Sequence, residues 1–375
     1  MISQADIAKV LDSYDPKNIR IGSLGGHSAL DVCRGAKKEG FETVVVVQKG
    51  REKTYSQYYK TRGDKGCVDH VIVVDNFGDI VLPEVQEQLR KLNVVFVHSR
   101  YFWVYCDFNK IENDFMVPIL GSRELVRKEE RDEDRNQYFL LQDAAIPTPK
   151  QYKDPKDIAE LVIVKPSEAA RGYERAFFLA HDYEDYLRQG NKMVEDGIIT
   201  DASLKAAVIE TFVLGPQLNV NYFYSPLTGE LELLGTDTRR QTNLDGLLRL
   251  TAPQQIEVLK HVEPKFIENG HQSVTIKESL LEQAFAVGER FVESTKRNYS
   301  PGIVGPFALQ GAVTAGPPKE EFVIFDVSMR IPGSPGTMFT PYTGYLYGEN
   351  MSVGHRLAKE VREAIKQDRL NELVS

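Results

Sequence analysis

Three stretches near the start of the chain, residues 41–47 (FETVVVV), 71–74 (VIVV) and 94–97 (VVFV), each hold four consecutive apolar side chains. Side chains of a strand point alternately to its two faces, so a strand that is apolar at every position must be covered on both. Helical stretches lie before the first, over residues 28–39, and between the last two, over residues 85–92. This alternation predicts a mostly parallel sheet with helices on both faces. The first strand, residues 19–21, runs into Gly22-Ser-Leu-Gly25-Gly26-His27, and Gly40 ends the helix that follows. Ser28, with Asp31 three residues on, predicts a capping box at that helix start. Such a turn can bring backbone N–H groups to a phosphate, or it can be a tight turn that holds a histidine.

Residues 123–135 hold eleven charged side chains, five basic and six acidic. The run predicts an exposed helix held by i,i+4 ion pairs and a seam between domains. Beyond it, strands are predicted over residues 161–165, 208–213, 219–224, 230–234, 307–313 and 322–327, with a hairpin through Leu227-Thr228-Gly229. Val353, Leu357, Val361 and Ile365 form one stripe of a closing helix. The predicted class is α/β plus α+β: an N-terminal Rossmann-like domain over residues 1–125, then residues 126–375 in subdomains of about 126–207 and 208–375.

Composition narrows the function. The net charge of −8, with 46 basic and 54 acidic side chains and no basic stripe, argues against nucleic acid as a partner. No stretch approaches the ~18 apolar residues of a membrane-spanning helix, and the polar start MISQADIAKVLDSYDP does not read as a signal peptide. Three scattered cysteines, without metal spacing, predict a reducing, cytoplasmic setting.

Several polar positions could carry chemistry. Lys165 ends a strand and suits either a phosphate ligand or an edge-strand charge. Glu210, with Phe212 and Val213 after it, can offer a carboxylate to a ribose and backbone groups to a purine. Asp326, Ser328 and Arg330 share one strand face and suit a Mg²⁺ ligand with a phosphate clamp, or an ordinary ion pair. Gln310 could face Asp326 across the sheet. Residues 237–246, dense in donors, read as a polar loop, with Arg239, Arg240, Arg249 and Arg330 as candidates for binding anions.

The order of these elements resembles an ATP-grasp ligase. The stretches GSLGGHSALDVCRGAKKEGF, NYFYSPLTGELELLGTDTRRQTNLDGLLR, GPFALQ and SVGHRLAKEV resemble, end to end, the archaeal formate-dependent phosphoribosylaminoimidazolecarboxamide ligases of purine biosynthesis. The resemblance implies an ATP-grasp domain after the Rossmann-like one. It also implies ATP- and Mg²⁺-dependent (or Mn²⁺-dependent) formylation of the aminoimidazole carboxamide ribonucleotide through formyl phosphate, in a homo-oligomer. It places His27, Ser99, Tyr101 and Asn243 at the nucleotide, and Lys165, Glu210, Phe212 and Val213 at ATP. Gln310 and Asp326 fall at the metal, and Arg330 at the reacting groups. Five features depart from the family pattern: Tyr101 stands at a serine, Asp326 at a glutamate and Gly333-Ser-Pro-Gly336 at Gly-Gly-Thr-Asn, and two more bear on ATP. The segment after Lys165 has one glycine, Gly172, and Phe139 stands where a lysine would contact ATP. These departures suggest an alternative, a non-catalytic nucleotide-binding paralogue or one that uses another small acid.

Overall fold

The computed structural model describes residues 1–131, 133–166, 176–262, 264, 266–316 and 318–375. The glycine-poor segment after Lys165 falls mostly at 167–175, outside the described residues.

Strands β1 (Arg20–Leu24), β2 (Glu42–Gln48), β3 (His70–Val74), β4 (Val94–Val97) and β5 (Ile119–Leu120) form one parallel sheet in the order β3-β2-β1-β4-β5. Both faces are covered, as the continuous apolar runs require. Val44 and Val46 pack with Leu24, Phe96 and, from the helix Pro83–Lys91, Val85 and Leu89. Val45 and Val47 meet Ala29 and Cys33 on the opposite face. There too Ile21, Val95 and Val97 meet Val32 and Ala36, together with Val353, Leu357 and Val361 of the last long helix, Val353–Lys366. That helix lies so close to Ala29–Lys38 that a Cβ on Gly35 would fall 2.3 Å from the Gly354 carbonyl carbon.

Two local expectations give way here. Ser28 does not cap the helix: it adopts φ 70° and its Oγ donates to the Pro332 carbonyl at 2.9 Å. Asp31 instead accepts the Gly354 N–H at 2.8 Å, and burial pushes its carboxyl upward in pKa. Partners brought in from the far end of the chain replace the local cap. The charged run is not an exposed helix either, since among its described residues the helical piece is a single 3-10 turn, Arg127–Glu129. Arg123 is buried and donates to the carbonyls of Ile111 (2.6 Å), Phe115 (2.7 Å), Val117 (3.1 Å) and Ser375 (2.7 Å). A guanidinium carries five donors in a plane, so it can satisfy several buried carbonyls that water does not reach.

The remaining strands form two antiparallel sheets. β6 (Gln151–Tyr152), β7 (Val162–Lys165), β8 (Phe178–Ala180) and β9 (Val208–Thr211) are ordered β6-β9-β7-β8. β10 (Gln217–Ser225), β11 (Glu230–Thr242), β12 (Phe266–Val274), β13 (Gly305–Thr314) and β14 (Glu321–Ser328) are ordered β12-β11-β10-β13-β14. Residues 237–242 therefore belong to β11 and are not a loop, because β12 pairs along them.

The larger sheet has two unlike faces. Leu218, Val220 and Tyr222 of β10 enter a core with Phe307, Leu309 and, from the helix Leu281–Asn298, Val287 and Phe291. Asn219 and Asn221 alternate with them and bond to Asp237 on the opposite face. In β14 the pairing passes from Gly311↔Ile324 to Gln310↔Asp326, leaving Phe325 as an extra residue. This bulge reverses the parity of the strand. Phe322 and Ile324 face the core before it, Val327 and Met329 after it, so Asp326 and Ser328 turn away from the core.

Candidate functional site

An open cleft of about 200 Å³ lies between the two antiparallel sheets. The smaller sheet contributes Lys165 and Glu210, and residues 212–216 between β9 and β10 contribute Phe212 and Val213. The larger sheet contributes Asn219, Arg239, Gln310 and Asp326. Seven positions picked out from sequence thus meet in one place, although they come from five separate stretches of chain.

The cleft is rich in charge. Lys165 and Glu210 form a buried ion pair, and Tyr138 Oη donates to the second Glu210 oxygen at 3.1 Å. Burial draws the Lys165 ammonium below its usual pKa, and the Glu210 carboxylate opposes that shift. Arg131 approaches Asp326 at 3.8 Å and lines the same cleft. Arg239 donates to Gln310 Oε1 at 2.5 Å. Lys165, Arg131 and Arg239 thus bring three cations to a cleft that holds two carboxylates, Glu210 and Asp326, a balance suited to a polyanion.

Gln310 and Asp326 are register partners on adjacent strands, as expected from sequence. Among the described residues no group of three or more His, Cys, Asp and Glu side chains could hold a metal ion by itself. One carboxylate and one carboxamide oxygen fit a magnesium ion that takes its other oxygens from phosphates and water.

A second cluster lies at the turn after β1. The ring centroids of His27 and Tyr101 are 6.2 Å apart, and a Cβ on Gly333 would fall 2.0 Å from the His27 ring. Ser99 is buried nearby in sequence, and its hydroxyl has no hydrogen-bond partner among the described residues. Asn243 stands apart, exposed at the start of Leu244–Leu247 and not among the cleft residues. The structure also separates the arginines. Arg239 lines the cleft, Arg240 sits 3.5 Å from Asp245 on the surface, Arg249 is exposed and Arg330 is buried against Glu129 at 3.4 Å.

Glu129 is the residue sequence reasoning missed most clearly. It accepts the Met329 N–H at 2.5 Å and lies 3.4 Å from Arg330 and 3.7 Å from Arg100. Burial raises its pKa, and Arg330 and Arg100 oppose that. Arg131 was missed for the same reason: both sit in a run that reads as a solvated face. The usable signal was the short apolar pair Leu125-Val126 inside that run, both fully buried. Phe139 does not reach the cleft; it packs on the core of the larger sheet, with Arg135 4.7 Å over its ring.

Residues 185–375 match the family described as "Domain of unknown function (DUF1297)", and residues 21–152 match "Protein of unknown function (DUF1246)". The chain is 37% identical, over 100% of both chains, to the 5-formaminoimidazole-4-carboxamide-1-(beta)-D-ribofuranosyl 5'-monophosphate synthetase of Methanocaldococcus jannaschii. It belongs to that synthetase family. A crystal structure of an IMP biosynthesis protein PurP from Thermococcus kodakaraensis superposes with TM-score 0.69 and 26% identity, over 95% of this chain and 100% of that one. The ADP complex of purK, an N5-carboxyaminoimidazole ribonucleotide synthetase, gives TM-score 0.61 at 13% identity, covering 93% of this chain and 78% of that one. The shared architecture is the ATP-grasp fold, here in a member of the synthetase family, and the cleft described above lies between its two antiparallel sheets.

Proposed function

We propose that this chain joins formate to the 5-amino group of 5-aminoimidazole-4-carboxamide ribonucleotide, with conversion of ATP to ADP and phosphate. The observation that carries the reading is the meeting of Lys165, Glu210, Gln310 and Asp326 in one cleft, in a chain of the synthetase family. ATP occupies the cleft in this reading, with its purine beside Phe212 and Val213 and its ribose near Glu210. Lys165, Arg131 and Arg239 neutralise the phosphates, for which Lys165 leaves its pairing with Glu210. Asp326 and Gln310 hold Mg²⁺ or Mn²⁺, which supplies charge stabilisation at the phosphoryl group when bound.

Formate attacks the terminal phosphorus; a C–O–P linkage forms, the bond to the ADP oxygen breaks, and ADP leaves. The side chains position the reactants and stabilise charge, which is where most catalysis of phosphoryl transfer arises. His27, Ser99 and Tyr101 receive the ribonucleotide, and the buried Ser99 hydroxyl gains a partner there. Arg330, steadied by Glu129, stabilises the reacting groups, and Asn243 reaches the nucleotide from its exposed helix start. The division into domains 1–125 and 126–375, a homo-oligomeric assembly and a cytoplasmic setting complete the proposal; no helix among the described residues is long and apolar enough to cross a membrane.

The non-catalytic alternative loses one of its two motives, because Phe139 packs on the core away from the cleft and Arg131 supplies a cation there. Incubation of purified protein with ATP, Mg²⁺, formate and the ribonucleotide should release ADP only when all are present. Formate-independent release, or none at high enzyme concentration, rejects the reading.

A further inference from the structure

Asp237, in β11, has a side chain 1% exposed, and three groups converge on its carboxylate. Asn219 Nδ2 lies at 2.8 Å, Asn221 Nδ2 at 2.7 Å and His271 Nδ1 at 2.6 Å. Burial works against ionisation, and the bonds from His271, Asn221 and Asn219 outweigh it, so the Asp237 pKa lies below the usual carboxylate range. An ionised Asp237 receives a proton-bearing Nδ1 from His271, which leaves the lone pair of the neutral ring at Nε2. The arrangement is that of a histidine oriented by a buried carboxylate.

Its place in the fold is informative. On one side it joins the cleft, because Asn219 lines that cleft and Arg239, the cross-strand partner of His271, does too. On the other side Ser334 Oγ lies 3.3 Å from His271 Nδ1, next to Gly333, which packs against His27. The pair is thus bonded to one cleft residue, Asn219, paired across the strand with another, Arg239, and adjoins the Ser334-Gly333 segment that packs on His27; in the formylation reading the formyl group and the amine meet between those two regions.

We infer that His271, oriented by Asp237, takes up the proton lost by the amine as it is formylated; this rests on the formylation reading above. The amine lone pair attacks the formyl carbon of formyl phosphate and the C–N bond forms. The C–O bond to phosphate breaks, and its electron pair leaves with the phosphate. The nitrogen proton passes to His271 Nε2 and from there to the departing phosphate, so the ring returns to its starting state. An amine conjugated with an imidazole is a weak nucleophile, so removing its proton as the bond forms matters. General-base help of this kind contributes about 10²- to 10⁴-fold.

The experiment compares two readouts in wild type, His271→Ala and His271→Asn. One is formylated nucleotide produced; the other is formate-dependent scrambling of the β,γ-bridge oxygen of ATP without amine, which reports the phosphoryl step and an intact cleft. Both variants should lose about 10²-fold or more of nucleotide formylation, keep scrambling within about threefold of wild type, and His271→Ala should regain turnover with added imidazole. Loss of both readouts together, or formylation within about threefold of wild type, overturns the assignment. A wild-type enzyme with no formate-dependent ADP release overturns the formylation reading itself, and this inference with it.

Discussion

The parallel N-terminal sheet and the five-stranded antiparallel sheet use their strands in opposite ways. β2 buries apolar side chains on both faces, Val44 and Val46 on one and Val45 and Val47 on the other. Nothing on such a strand can serve a ligand, so the polar groups sit beyond strand ends, at His27 after β1 and Ser99 after β4. In β10 Leu218, Val220 and Tyr222 enter one core, while Asn219 and Asn221, which alternate with them, bond to Asp237 on the opposite face. Asp237, Gln310 and Asp326 continue that polar row across neighbouring strands. Side chains mounted on strands are held more rigidly than those in loops, which suits the step with the tighter geometric demand.

The contrast can be broken by experiment. Asp326→Ala should cut formate-dependent ADP release by about 10²-fold, since it removes charge stabilisation at the phosphoryl group. Its thermal midpoint should stay near wild type, because Asp326 is not core; a large drop would make the residue structural. Arg123→Met should do the reverse. It strands three buried carbonyls, those of Ile111, Phe115 and Val117, each costing about 1–3 kcal/mol when a partner is lost, so a loss of ~3 kcal/mol or more in urea unfolding is expected, without a role in chemistry.

The two sheets should also differ in tolerance to polar substitution. Val45→Thr and Val46→Thr should each destabilise by about 1–3 kcal/mol, because both put a hydroxyl in an apolar core. In β10, Val220→Thr should cost a similar amount with catalysis retained, whereas Asn219→Ala should lower turnover, since Asn219 anchors Asp237. Equal effects of the two β10 substitutions on turnover would erase the distinction between faces.

A smaller effect concerns pH. Trp103 Nε1 donates to His98 Nδ1 at 2.7 Å, and burial drives the His98 pKa from its usual 6.5 to about 3. Between those values the unfolded chain binds a proton that the folded chain does not, so stability from this group rises with pH. It should fall by up to about 1.4 kcal/mol per unit as the pH is lowered through that window. Urea midpoints at pH 4 and 6 measure the slope, which His98→Gln should flatten.

Much of this molecule is legible in its sequence wherever the deciding forces are local or periodic. Doubly buried strands announce themselves in VVVV and VVFV, and Val353, Leu357 and Val361 reveal their helix by spacing alone. Lys165, Glu210 and Asp326 stood out because each is a polar residue at or near the end of an apolar strand, and Gln310 because it interrupts one. Ser28 misled because the carbonyl that takes its hydroxyl belongs to Pro332, 304 residues away. Glu129 and Arg131 were hidden because a dense charge run reads as a wet surface, and the arginines that neutralise it underneath cannot be seen from spacing. His271 has no local signature at all. Its meaning comes from Asp237 across a strand pairing that sequence does not specify.

The contact of the helix Val353–Lys366 with Ala29–Lys38 bears on how the protein is made. At about 5–20 residues per second, a ribosome has threaded residues 1–120 long before residue 353 leaves its exit tunnel. Until then one side of the nascent parallel sheet is covered only in part, by Val32 and Ala36, and Ile21, Val95 and Val97 lack the packing of Val353, Leu357 and Val361. Such long-range closure slows folding and invites misassembly in the interval, so this half of the protein is the one in greatest need of a chaperone during translation.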